Sequence, residues 1–222
     1  MKIMLDAGHG YDTPGKRSPN GMREYEFNRA VAALAKKLLE NYQNVTVYYA
    51  HSDERDVPLK ERTDHANSLN VDCYVSIHAN AYGTGGWNNA GGIEAFVFPS
   101  RPKEALGLAQ KVQRYLINAT GLRDRGVKTA DFHVLRETKM TAVLVECGFM
   151  TNREEAALLR TPAYRKRCAQ AIVKAIAEQY GLKRKWNEPK QVKVQVTFAE
   201  KQEAEKLAGD LRKNGYNAVV TE

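Results

Sequence analysis

Residues 71–78 read VDCYVSIH, a β-branched apolar run closed by a histidine. Such a run is a strand, and two other stretches share its form. Residues 2–6, KIMLD, lead into the loop AGHG, and residues 141–146, TAVLVE, end on an acid. Residues 44–50 (NVTVYYA) and 92–98 (GIEAFVF) add two further strands. Between them the apolar period changes from two to 3.6. Phe27, Val31, Leu34, Leu38 and Tyr42 fall on one helical stripe across 27–42, filled in by Ala30 and Ala35. Leu59, Arg62, Ala66 and Leu69 mark a helix after Pro58, and helices follow over 103–118 and 162–180. Strands alternating with helices, the strands apolar throughout, predict an α/β fold whose sheet has parallel pairs and helices on both faces.

In open α/β sheets functional groups gather beyond the carboxyl ends of the strands. Three strands here end in residue types suited to binding metal or moving protons. They are His9 after IMLDAGH, His78 after YVSIH and Glu146 after AVLVE. Glu24 stands at the entry to the first long helix, within reach of the same rim, and Glu26, two residues on, competes for that place. Two histidines and a carboxylate are a recurrent ligand set for catalytic zinc, leaving a fourth position for water or substrate. A further carboxylate then moves the proton, and Glu146, on a buried apolar strand, suits that role. His9, Glu24 and His78 form no H-E-x-x-H or H-x-x-E pair. The residues alone therefore leave two readings, a shared metal site or separate structural roles. His51 and His65 are expected on the surface, and His133 in a structural role rather than facing substrate.

A chain of 222 residues holds one well-cored domain, or a domain with a small appendage. No apolar run is long enough to span a bilayer, so no membrane insertion is expected. The opening MKIMLDAGHG lacks the basic, apolar and small-residue regions of a secretory signal. The expectation is synthesis in the cytoplasm and action after release. A net charge of +8 favours a polyanionic partner such as nucleic acid, anionic lipid or an acidic cell wall. With no nucleic-acid-binding motif in the chain, no nucleic-acid partner is expected. Cys73, Cys147 and Cys168 have no C-x-x-C spacing, which argues against a disulfide framework and a zinc knuckle. Cys168 shares a helical stripe with Tyr164 and Ile172, the pattern of a core residue.

The segments LDAGHG, GMREYEFN, YVSIHANA, GGIE, RGVKTADFHVLRE and AVLVECGFMTN together resemble the zinc-dependent N-acetylmuramoyl-L-alanine amidases, in the family's order and over roughly residues 2–180. The resemblance implies a twisted, mainly parallel sheet and hydrolysis of the amide between the lactyl group of N-acetylmuramic acid and L-alanine in peptidoglycan. It implies one Zn2+ held by His9, Glu24 and His78, with Glu146 as the catalytic glutamate. Glu24 is chosen over Glu26 because the family ligand lies two residues before the acid-Phe-Asn step. Ala7 departs from the family, which usually has proline there, and Cys147 follows the catalytic acid. Some members carry a helical plug over the site. Here one helix and the RGVKTADFHVLRE block fill the segment between Phe98 and Thr141, which predicts an open site. The resemblance fits a phage endolysin or a sporulation lytic enzyme. Rival readings are a zinc peptidase acting on stem peptides, whose H-x-x-E ligand pair His9, Glu24 and His78 do not form, and a non-catalytic wall-binding protein, which would lack a ligand or the acid.

After a catalytic domain over 1–181, residues 182–190 turn basic and read as a linker. Residues 191–222 then give one βαβ unit, VKVQVTF, a helical stretch and YNAVV, too small to bury a core alone. The tail resembles half of a SPOR-type peptidoglycan-binding domain. Two readings follow: pairing with a second chain as a homodimer, or a truncated module resting on the catalytic domain.

Overall fold

The computed structural model describes residues 1–185, 200–213 and 218–220. The chain divides into two compact units, Met1–Lys185 and Trp186–Glu222. The first is built on a six-stranded sheet of β1 (Lys2–Ala7), β2 (Thr46–Tyr49), β3 (Cys73–Asn80), β4 (Ile93–Val97), β5 (Asp124–Thr129) and β6 (Thr141–Phe149). Their spatial order is β2-β1-β3-β6-β4-β5.

The connections decide the strand directions. α1 (Glu24–Leu39) carries the chain from β1 to β2 and α2 (Leu59–Ser68) from β2 to β3, so these strands lie parallel. β6 continues the set, parallel to β3. No helix separates β3 from β4, and β4 runs antiparallel to β6. α3 (Lys103–Thr120) then crosses over and sets β5 parallel to β4. The sheet is thus mixed but mainly parallel.

The two-residue period sorts side chains between two cores. Ile3, Leu5, Val75, Ile77, Val143 and Val145 face the larger one, shared with α1, α3 and α6 (Pro162–Tyr180). Met4, Tyr74, Ala142 and Leu144 face a smaller one, closed by α2 and the single turn α4 (His133–Arg136). The helix ends are specified locally. Thr161 caps α6 by accepting from the Tyr164 amide at 3.2 Å, with Pro162 in the first turn. Asn152 caps α5 (Arg153–Leu159) by accepting from the amides of Glu154 and Glu155. Gly121 and Gly181 end α3 and α6 in the left-handed conformation.

α1 begins at Glu24 and ends at Leu39, earlier at both ends than the 27–42 stripe. Glu24 and Glu26 in its first turn, and Lys36 and Lys37 in its last, complement the helix dipole. β5 was not expected from the sequence. Its DRGVKT is polar because it is an edge strand, its residues half-buried or exposed.

In the second unit α7 (Lys201–Lys213) falls within the expected helix, with Ala208 buried and Leu207 and Leu211 partly exposed. The expected strand over 192–198 lies outside the described residues, as does the expected linker beyond Lys185. Of the last strand only residues 218–220 are described, and they carry no regular element. The half-domain and pairing readings therefore fall largely outside the described residues. Among the described residues no helix is long and apolar enough to cross a membrane.

Candidate metal centre

The rim at the carboxyl ends of β1, β3 and β6 brings four of the sequence-predicted residues into one neighbourhood. After β1 the Gly8 amide donates to the Ile77 carbonyl at 3.0 Å, prolonging the ladder with β3 for one residue. His9 then adopts φ 64°, a left-handed conformation uncommon for any residue but glycine. Its Nε2 lies 3.3 Å from Glu24 Oε2. From β3, His78 Nδ1 lies 2.9 Å from Glu24 Oε1. The two imidazoles meet edge to face, with centroids 5.1 Å apart. His9, Glu24 and His78 each offer one donor atom, and all three atoms lie within 4.8 Å of one another.

Helix geometry separates Glu24 from Glu26. Asn28, one turn after Glu24 and on the same face, donates through Nδ2 to Glu24 Oε1 at 3.2 Å and to the Gly8 carbonyl at 3.0 Å. The Ala79 amide adds a third bond to Oε1 at 3.2 Å. Glu24 is buried, whereas Glu26 points to solvent.

Glu146 pairs in register with His78 across β3 and β6, so both side chains leave the same face of the sheet. Its Oε2 is buried without a hydrogen-bond partner. Burial pushes its pKa up to about 8; the charge of His78 opposes this, and those of Glu24 and Glu94 reinforce it. The imidazoles differ. Burial dominates at His9 and lowers its pKa to about 4. Burial also acts to lower that of His78, but the hydrogen bond to Glu24 and the surrounding carboxylate charges outweigh it, so the net shift is upward. At Glu24 burial acts to raise the pKa, and the His78 hydrogen bond and both histidine charges bring it below its usual value.

This donor set fits a tetrahedral zinc. Two ligands of one ion at about 2.0–2.1 Å stand roughly 3.3 Å apart, close to the 3.3 and 2.9 Å separations between the histidine nitrogens and the Glu24 oxygens. His9 retains 23% side-chain exposure, so the centre opens to solvent there. Between Phe98 and Thr141, α3 packs on α6 and α4 on α2.

Sequence reasoning missed Glu94. It pairs in register with Glu146 on β4 and is buried, accepting from Asn80 Nδ2 at 2.6 Å, from Arg125 Nε at 2.8 Å and from Lys128 Nζ. The available signal was an acid inside the apolar run GIEAFVF. His51 corrects an expectation. It is half-buried rather than on the surface, stacked near Tyr25 and Tyr49, and its Nδ1 accepts from the Ala7 amide at 3.0 Å. A proline at position 7 would remove that donor. His65 is exposed. His133 Nε2 lies 3.3 Å from Thr63 Oγ1, joining α4 to α2. All three cysteines are buried and free.

Gly8 makes the site possible sterically. A Cβ there would lie 2.0–2.5 Å from three ring atoms of His78. Gly8→Ala is therefore expected to displace the His78 imidazole and abolish tight zinc binding while the sheet still folds. Zinc titration alongside circular dichroism checks this; wild-type affinity would show that the ring does not rest against Gly8.

The sequence pattern of the N-acetylmuramoyl-L-alanine amidase family matches residues 3–178. Among characterised relatives, the N-acetylmuramoyl-L-alanine amidase CwlM of Bacillus licheniformis is 35% identical over 222 residues, spanning 99% of this chain and 84% of that protein. The sporulation-specific N-acetylmuramoyl-L-alanine amidase of Bacillus subtilis (strain 168) is 31% identical with the same coverage. Of solved structures, the catalytic domain of CwlV from Bacillus (Paenibacillus) polymyxa var. colistinus superposes with a TM-score of 0.75 at 33% identity, covering 82% of this chain and 99% of that one. An N-acetylmuramoyl-L-alanine amidase from Clostridium difficile 630 gives 0.77 at 31% identity, covering 81% and 96%.

Proposed function

The chain belongs to the N-acetylmuramoyl-L-alanine amidase family, and from that premise we propose that it hydrolyses the muramoyl–alanine amide of peptidoglycan at a zinc centre formed by His9, Glu24 and His78. One observation carries the reading. Three donors converge within 4.8 Å beside a carboxylate, Glu146, whose Oε2 has no other partner.

Bound by these residues, zinc would polarise the scissile carbonyl and lower the pKa of the attacking water towards 7. Glu146 Oε2 takes the proton of that water as its oxygen bonds to the lactyl carbonyl carbon. The same carboxyl passes the proton to the amide nitrogen as the C–N bond breaks. The products are the lactyl carboxylate and the free α-amino group of L-alanine. The raised pKa of Glu146 suits both halves of this transfer, because an acid poised near neutrality can accept and release a proton. Asn28 and the Ala79 amide hold Glu24 in place throughout.

The rivals account for less. A zinc peptidase of stem peptides uses the same donor types in an H-x-x-E pair, a spacing that His9, Glu24 and His78 do not have. A non-catalytic wall binder leaves the buried, unpartnered Glu146 carboxyl unexplained.

Removal of metal by a chelator is expected to abolish amine release from purified cell walls, and stoichiometric Zn2+ to restore it. Release that persists after exhaustive chelation would refute the metal reading. Zinc binding is also expected to release a proton from His78, whose pKa the hydrogen bond to Glu24 raises, rather than from His9, whose pKa burial lowers to about 4. Affinity should therefore rise with pH. Calorimetry in buffers of different ionisation enthalpy reads the proton count.

A further inference from the structure

We propose that Asp6 is the positioning residue of the metal centre, holding His9 through Arg62 and His78 through Ser76. The proposal rests on the zinc reading above and concerns what aims the two histidines.

Asp6 lies on β1 and pairs in register with Ser76 on β3, so the two side chains share a face. Both are buried, as is Arg62 of α2, which is only 2% exposed. The guanidinium is fully engaged. Its Nη1 donates to Asp6 Oδ1 and to the Ala7 carbonyl, both at 2.7 Å. Its Nη2 donates to the His9 carbonyl at 2.7 Å and to Asp56 Oδ1 at 3.3 Å, and its Nε to the Val57 carbonyl at 2.8 Å. Arg62 thus grips the backbone on either side of Gly8. The carbonyl it holds at His9 belongs to the residue with φ 64°. A left-handed histidine persists only where its surroundings over-determine it, and this grip supplies the constraint that turns the imidazole towards Glu24.

The other carboxylate oxygen reaches His78. Ser76 Oγ lies 2.7 Å from Asp6 Oδ2 and 3.0 Å from His78 Nε2. A hydroxyl has one proton to give. Asp6, ion-paired with Arg62, can only accept, so the serine proton goes to Oδ2. Ser76 must then accept from Nε2–H of His78. In the absence of a metal Nδ1 itself donates to Glu24 Oε1, 2.9 Å away; with a metal at Nδ1 the ring would keep its proton on Nε2, where Ser76 accepts it. One buried carboxylate therefore sets the backbone of one histidine and the ring orientation of the other. Partners of this kind orient metal-binding histidines, and their loss typically weakens metal binding about 10–100-fold.

A purely structural Asp6–Arg62 pair, pinning α2 to the sheet, predicts something different. Ser76 touches Asp6 and His78 but makes no bond to Arg62, so Ser76→Ala tests the His78 arm alone. Arg62→Lys keeps a cation for Asp6 and removes the fork on the Ala7 and His9 carbonyls, testing the other arm. The experiment is competition titration of Zn2+ against a chromophoric chelator on the whole chain, with long-range 15N–1H spectra of the histidine rings of the protein with Zn2+ added.

Ser76→Ala and Arg62→Lys are each expected to weaken zinc binding about 10–100-fold with cooperative melting retained, and Asp6→Asn at least as much as either. The wild-type spectrum is expected to show His78 protonated on Nε2, and in Ser76→Ala the resonance of that proton is expected to shift as its hydrogen bond is lost. Unchanged zinc affinity in Ser76→Ala and Arg62→Lys, or wild-type His78 protonated on Nδ1, would overturn the proposal. A wild-type chain that binds no zinc would instead refute the zinc reading, and a His78 Nε2 proton whose resonance shifts in Ser76→Ala would still leave the positioning of His78 supported.

Discussion

Glu146→Gln is expected to lower turnover of cell-wall substrate by about 10²–10⁴-fold, the usual contribution of a positioned acid–base group, while zinc binding is retained. The carboxyl sits opposite His78 in the sheet register but outside the converging donor set, so its loss should leave His9, Glu24 and His78 in place. A second consequence follows from its buried, unpartnered Oε2. The folded-state pKa is raised to about 8 from the ordinary 4.5. The metal-free folded protein therefore binds this proton more tightly than the unfolded chain does, and its stability falls as pH rises from 4.5 to about 8. Glutamine cannot ionise and escapes the loss. Metal-free Glu146→Gln is expected to be more stable than wild type above this window, by on the order of a few kcal/mol, and similar to it in acid. Thermal melts across pH check the sign. A variant that melts below wild type at alkaline pH would show that the carboxylate is favourably paired in the fold.

His78→Ala is expected to lose both zinc and turnover. His78 meets Glu24 through Nδ1 and Ser76 through its other nitrogen, so the deletion removes a candidate ligand and the hydrogen-bond partner of a buried carboxylate together. The fall in zinc affinity should exceed the ~10–100-fold effect of changing an outer-shell partner. Adding zinc should not restore turnover to the variant, whereas Glu146→Gln should bind zinc and remain slow. That contrast separates the holding of the metal from the moving of the proton. It is read by zinc titration and turnover on the same preparations. Tight zinc binding by His78→Ala would remove this residue from the centre.

The catalytic fold was legible where the chain repeats simple periods. The runs around Val75 and Val143 marked central strands, and the stripe through Phe27 and Val31 marked a covering helix. Strand ends then pointed to His9, His78 and Glu146 without any knowledge of contacts. β5 was not legible, because an edge strand carries polar residues and Gly126 rather than an apolar run. Nor was the antiparallel entry of β4, which depends on a long connection that takes no helix. Within the site, spacing could not choose between Glu24 and Glu26; the family motif chose, and the helix then faced one inward and the other to solvent. Arg62 stood on an apolar helical stripe, a place where a charged residue needs a buried partner. Only the fold shows that partner to be Asp6, on a strand far away in sequence. Glu94 was hidden in the same way, its cations arriving from β5.

The most direct test of the central claim is mass spectrometry of purified peptidoglycan digested by the zinc-loaded chain. The account predicts stem peptides released with free L-alanine amino termini and glycan strands left without new reducing ends. New reducing ends, or cuts within the stem peptide with the muramoyl–alanine amide intact, would contradict it.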